Sequence, residues 1–240
     1  AEGQQLPYID HVRSELVQDA QMGVMKILSG EVDFVSGGAQ GAAVKDMPIL
    51  KENEERGGYN VILQDMHVTP VDLYLNLTHE DEVWRSVVRD LRFRQAVNYA
   101  LNREEIVDAI YSGAATPAYE CADGVYDPDR SNALLDEMGL DNKDAEGFRT
   151  LPDGSKWTIT LLSGTPEHGE QNELAVKYWG DIGLRCVSQV LDRSLYEQRC
   201  RAGECEVGNW GISGGPGLIP RIGAWLWWFL YDPPFASLYG

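Results

Sequence analysis

Between residues 91 and 101 the apolar positions Phe93, Ala96, Val97, Ala100 and Leu101 recur three and four apart, which puts them on one face of a helix. Asn102 interrupts that face and Glu105 follows three residues later, the spacing of a capping box. Ile106, Val107, Ala109 and Ile110 then carry a second apolar face, which Gly113 ends. Two helices meeting at a capped corner are predicted. The same reading places a helix over residues 19–29, with Asp19 as N-cap and Gly30 as stop. Another covers 42–58, although Pro48 breaks the ladder of its early part. Further helices are expected over 127–138, started by Asp127 or Asp129 and stopped by Gly139, and over 172–182 and 193–202. Period-two alternation and β-branched content predict strands at 8–17, 32–38, 59–65, 71–77, 155–162, 184–192 and 206–213.

Strands and helices alternate with short connections, which points to an α/β fold with a mixed sheet flanked by helices. Residues 214–240 are rich in Gly, Pro and Trp and show no clear period. The chain has no internal repeat, and no run of about 18 apolar residues that would read as a transmembrane helix. Its opening residues have neither a charged n-region nor an apolar h-region, so a signal peptide is absent or has been removed. Both ends are abrupt, as in a piece excised from a longer protein.

Charge narrows the partners. With 38 acidic and 20 basic residues the net charge is −18, which repels phosphate backbones and argues against nucleic acid. Cys121, Cys186, Cys200 and Cys205 form no C-x-x-C pair, and His11, His67, His79 and His168 are scattered. No metal site and no cofactor are expected. Cys200 and Cys205 flank a four-residue turn and are a disulfide candidate, although four cysteines allow three connectivities. Asn76-Leu77-Thr78 matches a glycosylation acceptor, for which a chance match is the better reading.

Several segments resemble one known family. Arg94-Gln95-Ala96, Tyr99-Ala100, Asn102-Arg103-Glu104 and the stretch from Gly113 to Pro117 resemble the helix pair of the family 5 extracellular solute-binding proteins, the dipeptide/oligopeptide-type receptors of bacterial ABC importers. The segments at 27–35, 127–140, 144–162 and 181–199 resemble others of that family, in the same order. The resemblance implies one lobe of a periplasmic-binding-protein-like (type II) fold. It implies a receptor of two lobes that closes on a small solute, a peptide or an oligosaccharide, and delivers it to an ABC permease. On that reading residues 1–215 are the second ligand-binding lobe and 216–240 return toward a missing first lobe. The place would be periplasmic or extracellular. A sensing receptor on the same scaffold is the alternative. The helix pair is then scaffold, with Arg92, Arg94 and Arg103 solvated or pairing with caps.

Ligand contacts are expected from loops at the cleft edge. The candidates are Trp210, Gly211, Ser213 and Gly214, where glycines permit close backbone approach and Trp210 either stacks on a ligand or fills the core. Several peptide-binding members place an aspartate shortly after this tryptophan, and this chain does not. Trp225, Trp227 and Trp228 form either a stacking platform or a surface that packs on the other lobe. A hydrolase built on His168, Glu170 and Glu173 is the remote alternative, since no nucleophile accompanies them. No catalytic residue is assigned.

Overall fold

A computed structural model describes residues 9–35, 42–62, 68–117 and 125–213; for 68–72 and 210–213 it gives the main chain alone. The chain divides into two units, Ala1–Leu63 and Gln64–Gly240. The lobe expected over 1–215 therefore spans both. The return segment expected at 216–240 lies outside the described residues.

In the first unit, α1 (Ala20–Leu28) is capped as expected, with the Asp19 carboxylate accepting from Gln21 N at 2.7 Å and Met22 N at 3.2 Å. A 3-10 turn (Val44–Asp46) leads into α2 (Met47–Glu52) and α3 (Glu54–Gly57). Pro48 sits in the first turn of α2, where its missing N–H has no intrahelical partner to lose. Among the described residues the strands expected here are not found. Residues 9–17, 32–35 and 59–62 carry no regular structure. Alternation selects the face a strand would bury, but a strand also needs a neighbour for its N–H and C=O groups. The apolar half of the pattern stays in solvent, with Leu16 91%, Val12 86% and Phe34 84% exposed.

Among the described residues the second unit is built on a four-stranded sheet. Its elements are β1 (Val68–Leu75), α4 (Glu82–Arg89), α5 (Leu91–Tyr99), α6 (Arg103–Tyr111), α7 (Pro128–Glu137), β2 (Ile159–Ser163), α8 (Pro166–Asp181), β3 (Cys186–Val190), α9 (Arg193–Arg201) and β4 (Val207–Ser213). The strand order is β1-β4-β2-β3, with β2 parallel to β3 and β4, and β1 antiparallel to β4.

Alternate residues of β2 separate two cores. Ile159 and Leu161 join Phe93, Val97, Leu135 and Trp179 from α5, α7 and α8 on one face. Leu162 joins Tyr196 and Cys200 of α9, with Cys205, on the other. The connection after β2 thus runs to a helix on one face, and the connection after β3 to a helix on the opposite face. Such a parting of connections is where open α/β sheets take ligands, beyond the carboxyl ends of the strands.

The predicted helix corner forms as read. Asn102 Oδ1 accepts from Glu105 N at 3.1 Å, and Asn102 Nδ2 reaches Glu105 Oε2 at 3.4 Å. Of the two candidate starts for α7, Asp127 is the cap, accepting from Arg130 N at 2.9 Å.

Candidate functional site at the carboxyl edge of the sheet

β2 ends where Ser163 pairs with Asn209 of β4, and β4 continues to Ser213 against β1, its one partner there among the described residues. Residues 210–213 therefore overhang the carboxyl end of β2. The overhang faces a bulge on its remaining neighbour. Thr69 pairs with Ile212 and Asp72 with Trp210, so two residues of β1 stand against Gly211. One of them is Pro70, which has no N–H for the ladder and is tolerated because this is a bulge on an edge strand. Bulges re-aim side chains and often border ligand sites.

Beside the overhang α8 begins. Thr165 caps it, accepting from His168 N at 3.2 Å. Gly169 packs the first turns tightly onto the sheet: a Cβ there would come within 2.5 Å of Val190 Cγ2, and 3.7 Å of Ser163 Oγ.

Beneath the overhang lies a buried polar cluster. Asn209, Asn172 and Ser163 are fully buried, and Gln171 nearly so. Asn209 Nδ2 donates toward Asn172 Oδ1 (2.9 Å), Gln171 Oε1 (3.2 Å) and the His168 carbonyl (3.2 Å). Gln171 Nε2 donates to the Tyr111 hydroxyl at 2.6 Å. From the other face, the Tyr196 hydroxyl donates to the Asn209 carbonyl at 3.2 Å. Burial pushes the Tyr111 hydroxyl up to about 12 and pulls the His168 imidazole below its usual value, so both are neutral at pH 7. Asn209 Oδ1, Asn172 Nδ2 and Ser163 Oγ have no hydrogen-bond partner among the described residues.

Of the residues read from the sequence, Trp210, Gly211 and Ser213 lie on the overhang of β4. Gly214, Trp225, Trp227 and Trp228 lie outside the described residues. The two residues of the disulfide candidate, Cys200 and Cys205, are not joined in this structure and are both buried in the core beneath α9. One closes the last turn of that helix and the other follows the turn at Gly203, and each packs against Leu162 and Tyr196 as a small hydrophobe. His168, Glu170 and Glu173 share α8, but only His168 is partly covered, and burial is the sole cause acting on its imidazole. Among the described residues no three His, Cys, Asp or Glu side chains are placed to hold a metal ion.

Asn76 is fully buried. Its Nδ2 donates to the Gly203 carbonyl at 3.0 Å and its Oδ1 accepts from Thr78 N at 2.9 Å, so its sequon holds the β1 exit to the turn before β4. The arginines of the helix pair also bind the chain itself. Arg92 donates to the Glu137 carbonyl (2.9 Å), Arg94 to those of Val88 (2.9 Å) and Arg89 (2.8 Å), and Arg103 to that of Asn98 (3.3 Å). They satisfy carbonyls at helix ends.

Sequence reasoning missed the Asn209 cluster. Gln171 and Asn172 sit in the stripe that Ala175, Tyr178, Trp179 and Ile182 continue, and Asn209 alternates with Val207. Polar residues in register with a core face were the available signal.

The chain matches the bacterial extracellular solute-binding proteins, family 5 (middle region), over residues 2–229. It is 27% identical to heme-binding protein A of Haemophilus influenzae, over 90% of this chain and 39% of that protein. Against the solved structure of an oligopeptide-binding protein, OppA, the identity is 36% and the TM-score 0.64, covering 89% of this chain and 36% of the other. Against a mannohexaose-bound oligopeptide ABC transporter periplasmic binding protein from Thermotoga maritima the values are 19% and 0.67, a likeness of fold, covering 91% and 42%. The chain thus spans about two-fifths of the length of these relatives.

Proposed function

The chain belongs to the bacterial extracellular solute-binding proteins, family 5, and on that premise we propose that it is the solute-capturing part of the binding protein of an ABC importer. The solute is a peptide, an oligosaccharide or a similar small molecule. It is held against the carboxyl edge of the second unit's sheet and closed over by a second lobe from the rest of a longer protein. The observation that carries this reading is the overhang of residues 210–213 past the end of β2, one of the two neighbouring strands whose connections part to opposite faces. The names of the relatives support both ligand classes, since one is an oligopeptide-binding protein and another holds mannohexaose.

The lobe that the sequence assigns to residues 1–215 is on this reading carried by the second unit, which has the sheet. Residues 216–240 lead back toward the other lobe. The partners are the solute, that other lobe and a membrane permease, and the place is the periplasm or the cell exterior. Family and relatives are binding proteins, and binding without catalysis is the role proposed here.

The test is a thermal-shift screen of the full-length protein against peptides and oligosaccharides. A ligand that binds the native state alone raises Tm by mass action, about 2.7 kcal/mol of stabilisation at a hundredfold excess over Kd. The expected result is a saturable shift with one class, lost in Trp210→Ala. A shift unaffected by Trp210→Ala and by Ser213→Ala would place the ligand elsewhere.

A further inference from the structure

Residues 210–213 have lost β2 as a neighbour, and the neighbour they keep, β1, is bulged at that point. Something other than a regular ladder must fix them if they hold a ligand. The residue just before them is gripped from both faces of the sheet. On one face the Asn209 amide nitrogen is surrounded by Asn172 Oδ1, Gln171 Oε1 and the His168 carbonyl, all on the first turns of α8. On the other face the Tyr196 hydroxyl of α9 donates to the Asn209 carbonyl. Gln171 extends the grip to Tyr111 on α6.

This arrangement is poorly explained by folding alone. Three acceptors crowd an amide that has two hydrogens to give, while Asn209 Oδ1, Asn172 Nδ2 and Ser163 Oγ are buried without partners. Replacing a partly satisfied buried cluster by apolar side chains of similar shape is often neutral or stabilising. What an apolar residue at 209 would not supply is a directional tie from the start of α8 to β4. We infer that Asn209 is a positioning residue: it sets the main-chain placement of residues 210–213, with Gln171 and Tyr196 as its supports. The inference rests on the reading of those residues as the ligand strand.

The test compares the full-length protein with Asn209→Leu and with Tyr196→Phe, which deletes a single hydroxyl and keeps the ring in the core. Amide hydrogen exchange is read first, without ligand. In Asn209→Leu the exchange of 210–213 rises by about tenfold or more while that of β2 and β3 stays within about twofold of wild type. Tyr196→Phe moves the same amides in the same direction by less. Affinity is read second, with tri-alanine and maltohexaose as probes, at a temperature where each variant is folded. Whichever probe binds wild type binds Asn209→Leu at least about tenfold more weakly. Exchange that rises equally across the sheet, or at none of it, overturns the inference and leaves Asn209 a stability residue. So does wild-type affinity in a variant with loosened 210–213. If neither probe binds wild type, the ligand reading fails for those two classes, and the exchange pattern still decides the positioning role.

Discussion

Two of the places where the second unit buries polar side chains are finished differently. At the back of the α7–α8 layer Arg149 is 3% exposed, and each of its three guanidinium nitrogens donates. Nε donates to the Ile182 carbonyl (2.8 Å), Nη1 to the Leu140 carbonyl (2.6 Å) and to Asp136, and Nη2 to Asn132 Oδ1 (2.7 Å). It gathers the ends of α7 and α8 at one point, and Gly183, at φ +86°, lets the chain pass close to its stem. At the carboxyl edge of the sheet the Asn209 cluster is equally buried and leaves three polar atoms unmatched. A complete network fastens the fold. An incomplete one, set under residues 210–213, is costly unless it serves what lies above it.

Several substitutions would break or sharpen that contrast. Arg149→Met should cost the most, about 3–5 kcal/mol in urea denaturation, because it strips two helix-end carbonyls, Asp136 and Asn132 of their donor at once. Arg149→Lys should not rescue it, since one ammonium cannot span the fork. Solute affinity of the folded fraction should not change, whereas weakened affinity would join the two regions. Asn76→Ala comes next, at about 1–3 kcal/mol, since it removes the donor to the Gly203 carbonyl and the acceptor of the Thr78 N–H. Mass spectrometry of the native protein from its host should find Asn76 without glycan.

Acid should loosen the Arg149 side of the unit before the site. Burial pushes the Asp144 carboxyl up, but the main-chain N–H of Phe148, Arg185, the N–H of Glu146 and Lys156 outweigh it and hold it well below the usual range. A carboxyl depressed in the folded state stabilises above its unfolded pKa of about 3.9 and loses that contribution as pH falls through the folded value. Stability should therefore drop below about pH 4, and Arg185→Gln should flatten the drop. An unchanged slope in that variant would remove Asp144 from the account. The smallest effect is expected at Ser163→Ala, less than about 1 kcal/mol in either direction, because its hydroxyl has no partner to lose.

How much of this was legible follows from where the information lies. The α5–α6 corner and the caps at Asp19, Asn102 and Asp127 are local, and a cap plus a periodic face suffices to read them. α4 escaped because Asp90 both ends it and caps α5, accepting from Arg92 N at 2.9 Å, so no turn residue marks the boundary. The strands expected at 8–17, 32–38 and 59–65 do not form over their described residues, because pairing is decided by a neighbour the pattern does not contain. At the edge of the sheet, glycines and a tryptophan drew attention to 210–213, while the asparagine one position earlier was hidden as a polar residue in a core register.

The central claim is that solute is held at the carboxyl edge and nowhere near Arg149. Amide exchange of the full-length protein, with and without the peptide or oligosaccharide that raises its Tm, tests it most directly. Slowed exchange at residues 210–213 and in the first turn of α8, with residues 143–151 unchanged, is the predicted result. Protection confined to other segments, with 210–213 exchanging as before, would contradict it.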